Sequence, residues 1–278
     1  LPVTREAAFG PVVDIEVSGL AGGHTGCDIH TDRGNAIRFA ARIARHVLEH
    51  VPSARVVALS GGNAANAIPR DARVAMMVAE EHKIQLHAAA QPALDELVDE
   101  YCMQEAKARI GAGGAGGYGG VDEAEEAAKA AQLAALTPAS AKASSTIKLA
   151  FNDTTGVPLD KASSERAVAL VLTLPHGVIR YSPVVEGDVE TSNAVSLVGL
   201  AATPEAPAPA AAAHGRHGHC EESGPDVDHM WVHCFYRSFA EKQLRLVDER
   251  IRDIATLAGA YTTKSFGYFN GWEPITAS

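Results

Sequence analysis

Two stretches of this chain, residues 11–110 and 145–266, run through the same succession of hydrophobic periods. In the first, Val13, Ile15 and Val17 alternate with polar neighbours at the two-residue period of a half-buried strand. A glycine-rich loop, GLAGGHTGCDIHTDRG, follows. Then Ile37, Ala40, Ala41, Ala44, Val47 and Leu48 recur three and four positions apart, with Arg38, Arg42, Arg45 and Glu49 opposite, which predicts an amphipathic helix. Strands around Arg55 to Leu59 and Ala72 to Val78 come next, joined by GGNAANAIPRD, whose glycines and proline interrupt regular structure. A helix over Lys83 to Lys107 closes the stretch. The second stretch offers a strand near Thr146 to Phe151, a helix near Ser164 to Leu174, and strands at Ala194 to Leu200 and Trp231 to Arg237. A long helix with Leu244, Val247, Ile251, Ile254 and Ala258 along one stripe completes it. A repeat of this length exceeds the roughly 20 to 50 residues of a solenoid unit. The expected fold is therefore α+β, a duplicated two-layer sandwich with antiparallel sheet covered by helices.

Residues 111–144, with GAGGAGGYGG and an Ala/Glu run, and residues 201–225, with AATPEAPAPAAAAHGRHGHCEESGP, hold too few bulky apolar groups to build a core. They are expected to be exposed, poorly ordered insertions in one lid-like domain spanning residues 1–278. A net charge of -10 with no basic cluster argues against a nucleic-acid groove. Cys27, Cys102, Cys220 and Cys234 are too few and scattered for a disulfide framework, which fits a reducing, cytoplasmic setting. No window reads as a signal peptide or a membrane span. The chain starts at Leu1 instead of methionine, which leads to the expectation of a piece of something longer.

Three segments carry a family resemblance: GLAGGHTGCDIHTDRGNAI (residues 19–37), GGNAANAIPRDARV (61–74) and LPHGVIRYSPVVEGDVETSNAVSL (174–197). In sequence and spacing they are similar to the lid domain of bacterial-type aminoacyl-histidine (Xaa-His) dipeptidases, of the di-zinc aminoacylase and dipeptidase family. That family inserts a lid, which also makes the dimer, into a catalytic zinc domain. The resemblance covers the lid alone. It implies a homodimer, a dipeptide substrate reached through the complete enzyme, and two zinc ions held outside this chain. It also implies that His24, in GGHTG, reaches a neighbouring subunit's active site to polarise the scissile carbonyl, while Asn66 and Arg180 touch substrate.

Those residue types have a chemical reason of their own. Peptide hydrolysis develops negative charge on the carbonyl oxygen, and an imidazole donor aimed there favours the transition state over the substrate. A guanidinium grips a carboxylate through two parallel hydrogen bonds, which lysine does not reproduce. Each also has a plainer reading. His24 alone would be a surface histidine, Asn66 a turn residue before Ile68-Pro69, and Arg180 a solvated strand-end charge.

Lookalikes of the missing metal site carry no weight. His30-Thr31-Asp32 has the spelling of a ligand pair but lies inside the His24 loop, and Glu221-Glu222-Ser223-Gly224 sits in a tract without a rigid scaffold. His214, His217, His219 and Cys220 could take up a metal adventitiously, but a flexible tract lacks the geometry of a structural site. Gly113 to Gly120 follows a helix and not a strand, so it does not fit a dinucleotide loop. No nucleophile elbow supports a serine or cysteine hydrolase. Two functional readings stand: a noncatalytic piece of a metallodipeptidase, inactive alone and binding no metal itself, or a free-standing α+β dimerisation or binding module.

Overall fold

Alternation along β1 (Val12–Ser18) sends Val13, Ile15 and Val17 to one face and Val12, Asp14 and Glu16 to the other. The computed structural model describes residues 1–111, 123–200 and 228–260. After β1 come a short β2 (Gly23–His24), α1 (Ala36–His50), β3 (Arg55–Gly61), a short β4 (Ala67–Ile68), β5 (Ala72–Met77) and α2 (Lys83–Gly111). Next are α3 (Glu123–Ala135), α4 (Pro138–Ala143), β6 (Lys148–Thr154), α5 (Lys161–Thr173), β7 (Gly177–Tyr181), β8 (Val189–Leu200), β9 (Trp231–Ser238) and α6 (Glu241–Leu257).

The main sheet is antiparallel throughout, in the order β6-β1-β5-β3-β8-β7. β9 runs along β8 from Thr191 to Gly199, so β3 and β7 share the other edge of β8, at its C- and N-terminal ends. Helices cover one face. Val13, Ile15, Val17, Val74, Met76, Val195 and Leu200 form one core with Ile37, Phe39, Ile43, Val47, Leu97, Val168 and Ile251 from α1, α2, α5 and α6. Helix α1 lies at the centre, against α2 on one side and α5 on the other. Its alanines 36, 40, 41 and 44 are fully buried and let both neighbours approach closely. The Asn35 side chain caps it, accepting from the Arg38 backbone N–H at 3.3 Å.

The expected α+β class, antiparallel sheet covered by helices, is what the chain adopts. The two stretches keep their succession of elements but not a common pairing. β6 lies along β1, in register from Val12↔Thr154 to Ser18↔Lys148, and touches neither β8 nor β9 in the sheet order. A division at residue 145 thus separates two strands that pair. β6 completes a strand-helix-strand-strand-helix-strand unit, and β8 continues the sheet from the far edge of that unit.

The part of the expected insertion between 123 and 144 is also ordered as helix, a correction to its reading as a coreless tract. Alanine is the best helix former. Lys129 pairs with Glu125 at 2.8 Å, and Thr137 and Ser140 make a reciprocal capping box at the start of α4. α4 packs on α2 with Ala141 buried, whereas α3 stays largely exposed. The tract 201–225, with its histidines and Glu221-Glu222, and Gly113 to Gly120 lie outside the described residues.

Candidate functional site

The tip of the loop between β1 and α1 lies on the sheet face opposite the helices, against Ala194 of β8 and Arg237 of β9. Its β2 pairs with β4, Gly23 opposite Ile68 and His24 opposite Ala67, and Thr25 N–H donates to the Asn66 carbonyl at 2.9 Å. His24 and Asn66 are thereby neighbours, both exposed. Ile29 and Ile68 bury themselves with Ala194 of β8, and Val178 and Val189 pack against the cluster, so the loop is fastened over the β7–β8 hairpin that carries Arg180. Three segments distant in sequence meet here.

Local hydrogen bonds fix the imidazole. His24 Nδ1 accepts from the Gly26 and Cys27 backbone N–H groups, both at 3.2 Å. In the neutral ring the proton then sits on Nε2, which is left as the donor of an exposed side chain. The backbone of His24 is held as well, its N–H donating to Asp28 Oδ2 at 2.7 Å. Arg33 completes the tether, donating to Asp28 Oδ1 and to the Gly22 carbonyl, both at 2.6 Å. Gly23 has φ 154°, and a Cβ there would lie 2.7 Å from both Arg33 Nη1 and Asp28 Oδ2. Any larger residue would push this ion pair aside.

The loop is also anchored at its base. Glu105 of α2 is completely buried, with Oε2 accepting from Ala21 N–H at 2.5 Å and Oε1 from Gly34 N–H at 2.9 Å. Arg109, one turn on, approaches Glu105 Oε2 at 3.4 Å and donates to the Gly19 carbonyl at 2.9 Å.

Arg180, opposite Thr191 in the hairpin, pairs with Glu190 Oε1 at 3.3 Å. The arginine side chain is 43% exposed and the glutamate 8%, so the guanidinium offsets a buried charge. A second guanidinium, unforeseen from the sequence, lies beside the histidine loop. Arg237 of β9 reaches under the loop, and a Cβ on Gly26 would come within 1.8 Å of its Nη1. It lies over the Phe235 ring, 4.7 Å from the centroid. Among the described residues no carboxylate pairs with Arg237. Burial pulls its pKa below the usual arginine value, with nearby Cys27 opposing. The sequence held one signal for it: β9 alternates, and His233, Phe235 and Arg237 share the face on which the loop lies.

His233 is held below the ordinary histidine pKa by burial, and its Nδ1 has no hydrogen-bond partner among the described residues. Burial pushes the Cys234 thiol up to about 11, which makes it a poor nucleophile. Among the described residues no three His, Cys, Asp or Glu side chains converge on a point that could hold a metal ion. His30 and Thr31 belong to a single 3-10 turn, and Asp32 follows it with φ 52°.

Residues 15–105 match the family model described as the peptidase dimerisation domain. Over 260 residues the chain is 26% identical to a cytosol non-specific dipeptidase of Escherichia coli (strain K12), covering 94% of this chain and 40% of that protein. Among solved structures, it is similar to an aminoacylhistidine dipeptidase from Vibrio alginolyticus, with a TM-score of 0.69 and 25% identity over 99% of this chain and 44% of that one. The chain thus spans less than half the length of these relatives. The resemblance read from the three segments agrees with the comparisons in pointing to the dimerisation domain of a dipeptidase.

Proposed function

We propose, from the match of residues 15–105 to the peptidase dimerisation domain, that this chain is the lid and dimerisation domain of a metallodipeptidase cleaving Xaa-His dipeptides. It completes the active site of a partner subunit in a homodimer. The observation that carries this reading is the presentation of His24: an exposed imidazole whose Nδ1 accepts from two backbone donors, which leaves Nε2 to carry the proton in the neutral ring. A preorganised donor of this kind stabilises charge developing on a scissile carbonyl without reorganising during the reaction.

The two guanidiniums divide the remaining work. Arg180 already serves Glu190, so it contacts the substrate at the margin. Arg237, without an acid partner among the described residues and beside the His24 loop, is the better anchor for the peptide carboxylate. Asn66 offers its amide next to the histidine, since its side chain makes no hydrogen bond among the described residues. In this reading the two zinc ions belong to the rest of the complete enzyme; among the described residues no three His, Cys, Asp or Glu side chains come together to hold one. A cytoplasmic setting accords with the relative named a cytosol dipeptidase, and no described helix is long and apolar enough to cross a membrane.

In the complete protein, His24→Ala is expected to lower kcat on an Xaa-His dipeptide by about 10² to 10³ with little change in KM, because the donor acts chiefly in the transition state. An unchanged kcat would remove His24 from catalysis and favour a noncatalytic dimerisation or binding module.

A further inference from the structure

Glu105 sits where the core pattern of α2 calls for an apolar residue, in line with the buried Leu94, Val98 and Cys102 and beside the buried Ala106. Burying a carboxylate is costly unless it is paired and hydrogen-bonded. All three of its described polar contacts concern one object. Two are the Ala21 and Gly34 amides, at opposite ends of the loop that carries His24, and the third is Arg109, which itself bonds Gly19 at the start of that loop. Gly34 directly precedes Asn35, the cap of α1, so the same carboxylate ties the loop to the most deeply buried helix.

We infer that Glu105 is the positioning residue of the His24 loop: its two oxygens clamp both ends, and His24 is presented correctly only while they do. It touches no substrate and acts through the backbone. A simple helix-end pair between Glu105 and Arg109 would leave both amides indifferent to the carboxylate, whereas a clamp makes the two loop ends open together when it is lost. The tip tether of Asp28 and Arg33 lies between these ends and moves with them, so it does not replace the clamp. The inference deepens the reading in which His24 is the working side chain. It is tested without peptide hydrolysis, so a failed clamp leaves that reading standing, and a catalytically silent His24 leaves the clamp standing.

The test compares the 278-residue chain with its Glu105→Gln variant, ¹⁵N-labelled, by amide exchange and by imidazole nitrogen spectra. Glutamine keeps the size and one acceptor but loses the charge and the second acceptor. Exchange at Ala21 and Gly34 is expected to quicken by about 10- to 100-fold relative to Ile15 and Val74 in the sheet, the scale of a lost charge-assisted hydrogen bond. The His24 ring should lose its fixed Nε2–H tautomer. Glu100→Gln, on the same helix in an exposed pair with Arg42, should change neither. If the Glu105 variant does not fold, Arg109→Gln keeps the carboxylate and weakens only its support, and the same two amides should exchange several-fold faster. Loop amides that keep step with the sheet amides, or an unaltered His24 ring, would overturn the inference.

Discussion

Helix α1 and the loop just before it are consecutive in the chain and held by opposite means. The helix is fixed by burial: Ile37, Ile43 and Val47 are fully enclosed, and no single contact decides its place. The loop is fixed by a few directed polar bonds, from Glu105 below, from Asp28 and Arg33 at the tip, and from His24 to its own backbone. Apolar burial tolerates exchange of one hydrophobe for another of similar size. A polar tether fails when one atom is changed. The fold can therefore persist under sequence drift while the presentation of His24 depends on a handful of exact residue types.

The largest effect should come from the buried side. Ile43→Ala, fully enclosed between sheet and helices, is expected to cost about 2–5 kcal/mol by urea unfolding. His24 ring signals should stay native until the global transition. If the ring loosened first, the two regions would not be separable.

An effect that vanishes near neutrality and grows with acid belongs to the seam between α1 and β8. His176 accepts from Val195 N–H at 3.3 Å, and its pKa is held down to about 3 by burial, aided by the charge of Arg38. Unfolded, it would titrate near 6.5. The folded state therefore excludes a proton that the unfolded state binds. The contribution is complete above about pH 6.5 and is lost as pH falls towards 3, by up to roughly 1.4 kcal/mol per unit. Unfolding titrations across this window should slope accordingly, and His176→Gln should flatten them. An equal slope in the variant would place the linkage elsewhere.

The least global change should come from the tip of the loop. Asp28→Ala removes the acceptor of His24 N–H and the partner of Arg33, both partly exposed. The loss is expected to be about 1 kcal/mol and local. Exchange at His24 should quicken by roughly tenfold while the unfolding midpoint barely moves. A drop like that of Ile43→Ala would mean that the loop is part of the core.

The same contrast explains what was legible in the sequence. Elements built on apolar periodicity came through: β3 and β5 start at the expected Arg55 and Ala72, and α2 starts at Lys83 and runs only four residues past the expected Lys107, to Gly111. Pairing partners did not, because the choice of β1 as the neighbour of β6 depends on chain closure over more than a hundred residues, which local alternation does not encode. The Ala/Glu tract was underestimated because a poor core composition can still be a good helix composition. At the site, the glycine-flanked histidine and NAIP stand out as motifs, and the fold brings His24 and Asn66 together. Arg180 is nearby but committed to Glu190. Arg237 and Glu105 went unseen, since their roles exist only once β9 and α2 lie against the loop.

The most direct test of a lid that completes its partner's active site uses two inactive forms of the complete protein. One carries His24→Ala with its metal ligands intact, and the other keeps His24 but lacks a metal ligand. In the mixed dimer, one site has metal from one subunit and His24 from the other, so dipeptidase activity is expected to return. If demonstrably mixed dimers stay inactive, His24 does not serve the neighbouring subunit, and the account fails at its centre.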